Sequence, residues 1–206
     1  MKPAYPASPL NIVLLGDPAA GKATQAALLV KKFKLFDFDM GKELSQRRNH
    51  DGQLHSVLQK NTDKGNLTPT AIVRGILRET IGAVPAKKGI LFDGHPKMLG
   101  EAKLVVNLLK AQHRSDPLVM YLSIPLDETV RRMHDRSGYF KGKFGKRADD
   151  SDLALKNRVR YYRKNITQVV NFFESKYHFK KISGLGSQAE VQERVLAAVE
   201  EFLNEI

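Results

Sequence analysis

The chain has 206 residues, of which 42% are hydrophobic and 27% are charged, a composition typical of a globular domain. Lys and Arg number 34 against 22 Asp and Glu, and the net charge of +12 favours anionic partners: nucleotides, nucleic acid or an acidic membrane surface. With no cysteine, the sequence excludes disulfides, thiolate metal sites and a cysteine nucleophile, and we expect a cytoplasmic setting. No apolar run approaches the about 20 residues that cross a membrane.

Short apolar segments alternate with helical patterns along the chain. The predicted strands are 11–15, 35–38, 89–92, 118–124 and 179–182. The predicted helices are 22–33, 68–81, 99–109, 126–136, 152–175 and 191–203. Strands that alternate with helices predict right-handed crossovers. We therefore expect an α/β fold, a doubly wound parallel sheet of about five strands with helices on both faces.

Two segments interrupt this alternation within a single domain. Residues 40–68 are polar, with short helical patterns broken near Asp51-Gly52 and Lys64-Gly65, and they predict a small helical insertion. Residues 137–146 are rich in Gly and Lys and predict a mobile basic loop. The predicted core then consists of residues 10–39, 69–136 and 147–206.

A glycine-containing segment, residues 16–24, lies between the first predicted strand and the first predicted helix. Glycines at positions 16 and 21 let backbone N–H groups converge, the helix N-terminus adds positive potential, and Lys22 can reach outer phosphates. Ala23 stands where the generic motif has Ser or Thr, and Thr24 would offer its hydroxyl to magnesium. The segment predicts a phosphate-binding loop.

Adenylate kinases and related nucleoside monophosphate kinases contain the segments G-x-P-G-x-G-K-G-T-Q, D-G-F-P-R and R-x-D-D…R. This sequence resembles them in the same order, with GDPAAGKATQ at 16–25, FDGHPK at 92–97 and RADD at 147–150, followed by Arg158. The resemblance covers roughly residues 10–203. It implies the P-loop kinase fold in its short-lid form, with 40–68 as the monophosphate-binding insertion and 137–146 as a lid without zinc.

The resemblance also implies the roles of individual residues. The implied ATP site contains Gly16, Pro18, Ala19, Ala20, Gly21, Lys22, Ala23, Thr24, Arg132 and Gly186. The implied monophosphate site contains Met40, Gly41, Ser45, Leu67, Gly94, Lys97 and Glu101. The implied catalytic residues are Lys22, Lys97, Arg136, Arg147 and Arg158, and Mg²⁺ bound with ATP would be held by Thr24 and Asp93. Phosphoryl transfer to a phosphate needs such positioning and charge neutralisation rather than a strong base, because the acceptor is already anionic.

Several positions depart from the family pattern. Lys97 replaces an arginine and loses its bidentate fork, and Met40 and Ser45 replace a threonine and a phosphate-contacting arginine. Glu101 replaces a glutamine that pairs with adenine, and because a carboxylate only accepts hydrogen bonds, the change suggests a shift toward guanine. The alternative is that Glu101 is a solvated helix residue. Ala19 replaces a glycine and is expected to avoid positive φ.

The favoured interpretation is an ATP-dependent nucleoside monophosphate kinase, an adenylate kinase that converts ATP and AMP to two ADP. One alternative is a kinase for another monophosphate, such as GMP or UMP/CMP. Another is a non-catalytic nucleotide- or nucleic-acid-binding protein on the same fold, which the weakened acceptor site and the charge of +12 suggest. The favoured interpretation predicts a monomer that binds ATP and a monophosphate, and neither nucleic acid nor a membrane.

Overall fold

The computed structural model describes residues 9–49, 51–60, 68–139 and 152–205. The strands are β1 (Ile12–Gly16), β2 (Phe36–Asp39), β3 (Ile90–Asp93), β4 (Leu118–Ser123) and β5 (Phe179–Ser183). The helices are α1 (Lys22–Phe33), α2 (Met40–Arg48), α3 (Gly52–Lys60), α4 (Thr70–Ala83), α5 (Leu99–Ala111), α6 (Leu126–Tyr139), α7 (Asp152–Glu174) and α8 (Gln188–Glu205). None of the helices in these described ranges combines the length and apolar composition needed to cross a bilayer.

The five strands form one sheet in the order β2-β3-β1-β4-β5, and every pairing is parallel. This confirms the predicted doubly wound α/β fold. Because the strands are parallel, their carboxyl ends meet at one edge of the sheet, where such folds place their ligands. Asp39 at the end of β2 pairs in register with Asp93 at the end of β3, which lies beside β1.

Both faces of the sheet are buried, which explains the continuous apolar runs of its strands. Alternate residues of β1 contribute to two separate cores: Val13 and Leu15 pack with α4, α5 and α7 on one face, while Ile12 and Leu14 pack with α1 and α8 on the other. All four are fully buried. Burial of each such side chain stabilises the fold by about 1.5–3 kcal/mol, so β1 is firmly held where its chain enters the phosphate-binding loop.

Some observed bounds differ from the predicted ones. Helix α8 begins at Gln188 rather than at residue 191, because Ser187 and Glu190 form a capping box: the backbone N–H of each is bonded by the other's side chain. Helix α6 continues to Tyr139 rather than ending at residue 136, so it enters the predicted lid. The predicted insertion contains the helices α2 and α3. The remainder of the predicted lid, residues 140–146, lies outside the described residues.

Candidate active site

The loop between β1 and α1 is shaped by a close approach to β4. A Cβ atom at Gly16 would lie only 2.4 Å from the carbonyl oxygen of Leu122, so no other residue fits. The next N–H, of Asp17, donates to that oxygen over 2.9 Å. Gly21 has a φ of 91° immediately before α1. A glycine therefore permits the backbone conformation at each end of the loop. The N-terminus of α1 faces the space that the loop encloses.

The prediction that Ala19 avoids positive φ is wrong: its φ is 59°. The N–H of Ala20 donates to the carbonyl oxygen of Asp17 over 3.2 Å, and Pro18 and Ala19 are the central residues of this turn. A turn with proline first and a positive φ second is a type II turn, in which the second position favours glycine. The loop thus keeps its shape with alanine, at a cost of about 1–2 kcal/mol.

Lys22 begins α1, and its side chain folds back over the loop. Its Nζ donates to the carbonyl oxygens of Gly16 and Asp17, both over 2.8 Å. The hydroxyl of Tyr162, from α7, also donates to the Gly16 oxygen, over 3.0 Å. On its other side Lys22 adjoins Gly94, since a Cβ there would lie 3.5 Å from the lysine Cε. The ammonium group therefore stands between the loop and the end of β3.

Asp93, the last residue of β3, places a carboxylate beside this lysine. Burial raises the pKa of the Asp93 carboxyl from its ordinary 3.8 to about 6, and the negative charge of Asp39 adds to the rise, which Lys22 opposes. Thr24 lies in the first turn of α1, two residues after Lys22. Hydroxyl and carboxylate oxygens suit Mg²⁺, which commonly takes only one or two protein ligands and completes its shell with phosphates and water. The residues present fit that ion.

The described residues hold no group of three or more His, Asp or Glu side chains arranged for a metal. A magnesium ion at Asp93 would therefore depend on the nucleotide's phosphates for most of its non-water ligands.

In the region of the predicted ATP site, Arg132 of α6 joins the loop to the turn after β5. Its Nε donates to Glu128 over 2.6 Å, and its terminal nitrogen donates to the carbonyl oxygens of Gly184, over 3.1 Å, and of Ala19, over 3.5 Å. Gly186 lies in that same turn with a φ of 97°. The structure thus brings together Arg132, Gly186 and the loop, three parts of the predicted ATP site.

In the region of the predicted monophosphate site, the carboxylate of Glu101 is buried and bonded to the backbone. Its side chain is buried, and its Oε2 accepts hydrogen bonds from the backbone N–H groups of Lys97 and Met98, over 3.0 and 3.2 Å. Burial raises the pKa of the Glu101 carboxyl above its ordinary value. Glu101 therefore caps α5 and fixes the segment that carries Lys97. The interpretation of Glu101 as a solvated helix residue is wrong.

His95 lies in the same segment, and its ring is buried against Phe38 with 5.8 Å between ring centroids. Its Nε2 is 3.8 Å from the Glu101 Oε2 and has no hydrogen-bond partner. Burial lowers the pKa of His95 to about 3, with the charge of Lys97 adding to the fall, so the ring stays neutral. His95 is a packing residue in this arrangement.

The remaining acceptor-side residues lie on α2 and after β3. Met40 is buried at the start of α2, and Ser45 is exposed on the same helix. Asp39 caps α2, because its Oδ1 accepts from the N–H groups of Gly41 and Lys42, over 2.8 and 3.3 Å. Gly94 has a φ of 62°, and its N–H donates to the Leu14 carbonyl of β1.

Comparison with known proteins identifies this arrangement. The pattern of the family described as Adenylate kinase matches residues 14–178. The chain belongs to the adenylate kinase family. It is 30% identical over 191 residues to the adenylate kinase of Azobacteroides pseudotrichonymphae genomovar. CFP2, covering 93% of this chain and 97% of the relative. It is 29% identical to that of Leptospira biflexa (92% and 99% covered) and 27% identical to that of Phocaeicola vulgatus (94% and 100%).

Membership of the adenylate kinase family confirms the predicted family and a phosphotransferase activity. The roles of all the implied site residues stay predictions. Leu67 and Arg147 lie outside the described residues, while Arg136 and Arg158 belong to α6 and α7 without described side chains.

Asp17 is a residue of the candidate site that sequence reasoning missed, and its part is structural. Its carboxylate is buried and accepts hydrogen bonds from Arg163 Nε, the Tyr121 hydroxyl and the Ile124 N–H, over 2.8, 3.1 and 3.0 Å. Through these three partners, Asp17 holds the phosphate-binding loop against β4 and α7. A carboxylate directly after a fully buried strand was the available signal, because a charge at such a place needs partners.

Proposed function

We propose that this chain transfers the γ-phosphoryl group of ATP to AMP, giving two ADP, with Mg²⁺ accompanying ATP. The observation that supports this most directly is the position of Lys22, between the phosphate-binding loop and the end of β3. The curated relatives of comparable length are adenylate kinases. A cytoplasmic monomer is part of the same proposal.

The chain's own residues have three tasks in this transfer. Backbone N–H groups of the loop bind the donor phosphates, and the N-terminus of α1 adds favourable potential. Lys22 exchanges its two carbonyl acceptors for phosphate oxygens, which carry full negative charge and bind it more strongly. Bound Mg²⁺ would supply further neutralisation of the phosphates, held by Asp93 and Thr24.

Positioning provides most of the remaining catalysis, because the attacking phosphate is already anionic and requires no base. Lys97 would bind the acceptor phosphate, while Arg136, Arg147 and Arg158 would surround the transferred group. The insertion 40–68 would hold the monophosphate, and the lid 137–146 would exclude water from the site.

The proposed acceptor is AMP rather than GMP. The only residue that favoured guanine was Glu101, and its Oε2 is occupied by two backbone N–H groups in a buried position. A carboxylate committed to capping α5 has one oxygen left, which cannot receive the two adjacent donors of guanine in the usual bidentate manner. The argument from Glu101 for a guanine nucleotide as the acceptor is therefore weakened.

The test is a coupled assay of ADP formation from Mg-ATP with AMP, GMP, CMP or UMP in turn. We expect AMP to be preferred. Lys22→Ala should lower turnover by at least about a hundredfold, because removing a positioned group that stabilises negative charge in the transition state typically costs that much. Lys31→Ala, which removes an exposed lysine from the same helix, is the matched control and should retain activity. Preference for another base would move the assignment to that base, and ATP binding without turnover would support the non-catalytic alternative.

A further inference from the structure

Lys42, in the first turn of α2, extends its side chain toward the aspartates of β2. Its Nζ donates to Asp37 Oδ2 over 2.5 Å and lies 3.9 Å from Asp39 Oδ2. Both aspartates belong to β2, and Asp39 lies in register with Asp93 on β3. The Lys42 side chain is 64% exposed, so its ammonium group is accessible to a ligand entering above these strands.

The other two cations of α2 are directed elsewhere. Arg47 forms ion pairs with Glu43 and Glu79, over 3.4 and 2.6 Å, which link α2 to α4. Arg48 donates to the His55 ring on α3 over 3.3 Å. Of the three basic side chains on this helix, Lys42 is the one that faces the carboxyl edge of the sheet.

Two lysines lie near enough to Asp93 to act on its charge. Lys22 and Lys42 each act electrostatically on the Asp93 carboxylate, Lys22 from the phosphate-binding loop and Lys42 from α2. In the proposed function the donor phosphates bind beside Lys22, which leaves the Lys42 side for the incoming monophosphate. Without Lys42, that side would present Asp37, Asp39 and Asp93 to a dianion, which like charges would repel.

We propose that Lys42 binds the phosphate group of the acceptor nucleotide, leaving Asp37 as it does so. This inference rests on the proposed function, since it concerns the acceptor of that same reaction. The Lys42 side chain is mostly exposed, so solvent screens its bond to the Asp37 carboxylate, and a phosphate dianion offers the ammonium group more negative charge than that carboxylate does. The flexible four-carbon stem of lysine allows the movement. The Oδ1 atom of Asp39 keeps its partners throughout, because the N–H groups of Gly41 and Lys42 remain bonded to it.

The first experiment measures AMP and ATP dissociation constants by calorimetry, alongside steady-state kinetics, for the wild-type protein and Lys42→Met. For Lys42→Met we expect the Kd and KM for AMP to rise at least about tenfold. The kcat and the Kd and KM for ATP should stay within about threefold of wild type. This combination indicates lost ground-state binding of one substrate. Lys103→Met, which removes an exposed lysine from α5, is the matched control and should leave all constants unchanged.

Two further variants separate phosphate binding from a structural role. Asp37→Asn releases Lys42 and should leave AMP binding equal or tighter, whereas a structural ion pair would make Asp37→Asn and Lys42→Met equally harmful. Ser45→Arg, which adds a cation three residues along the same helix, should restore AMP affinity to Lys42→Met.

The inference is overturned if AMP affinity of Lys42→Met stays within twofold of wild type, if ATP affinity falls equally, or if Asp37→Asn weakens AMP binding as much. It is also overturned if the wild-type protein binds no AMP. Binding of AMP that depends on Lys42, without turnover, would uphold this inference while refuting the proposed function.

Discussion

Replacing Asp93 with asparagine should stabilise the protein while abolishing the proposed magnesium-dependent activity. Burial, aided by the charge of Asp39, raises the pKa of this carboxyl from 3.8 to about 6, so ionised Asp93 opposes folding. A shift of about 2 pKa units at about 1.4 kcal/mol each gives an upper bound of about 3 kcal/mol. Part of the carboxylate faces solvent, which screens it, and we therefore expect Asp93→Asn to gain about 1–2 kcal/mol at pH 7.

The sign of the pH dependence follows from the raised pKa. Between about pH 4 and 6 the folded protein binds the Asp93 proton more tightly than the unfolded chain does. The free energy of unfolding therefore increases as pH falls through this window, and the destabilisation is fully present above about pH 6. Turnover should change in the opposite direction, because a protonated Asp93 is a poor magnesium ligand.

Urea unfolding in EDTA, at pH 7 and pH 5, tests this reasoning. The difference in free energy of unfolding between Asp93→Asn and wild type isolates the contribution of this carboxyl. The variant should be more stable at pH 7, and this difference should shrink at pH 5. Asp116→Asn, at an exposed site, should change stability by no more than about 0.5 kcal/mol. The reasoning fails if Asp93→Asn is no more stable than wild type at pH 7, or if its advantage grows at pH 5.

Two further predictions concern the phosphate-binding loop. Ala19→Gly should raise the free energy of unfolding by about 1 kcal/mol, because φ at this position is 59°; an unchanged urea midpoint would contradict the strain. Asp17→Asn should lower it by about 2–3 kcal/mol, since the amide cannot accept from Arg163, Tyr121 and the Ile124 N–H together. A loss under 0.5 kcal/mol, similar to that of Asp116→Asn, would refute the importance of this buried carboxylate.

The sequence predicts best what depends on local pattern. Strands such as β1 and β4 are buried on both faces, so their apolar runs are unbroken, and the order of strands and helices follows from them. The phosphate-binding loop was also predictable, because glycine and lysine at these spacings follow a strand and precede a helix. Ala19 shows the limit. Proline before it suits a type I as well as a type II turn, and only the structure shows that the φ of Ala19 is positive.

What the sequence does not reveal is where a long polar side chain finds its partner. Glu101 could have faced a base or solvent, and only the fold shows its carboxylate bonded to the backbone of Lys97 and Met98. Lys42 and Arg47 are similar cations on one helix, yet Lys42 pairs with Asp37 of β2 and Arg47 pairs with Glu79 of α4. Such choices depend on contacts between distant segments, which a helical or strand pattern does not encode.

The strand order has a consequence for how the protein is made. Strand β1 is synthesised early, but its partners β3 and β4 follow much later in the chain. The phosphate-binding loop depends on β4 directly, since the N–H of Asp17 donates to the carbonyl oxygen of Leu122. A growing chain that has not yet released β4 from the ribosome therefore cannot form the loop in its final shape. Contacts this distant in sequence slow folding, and the ability to bind ATP would mark the moment when the sheet is assembled.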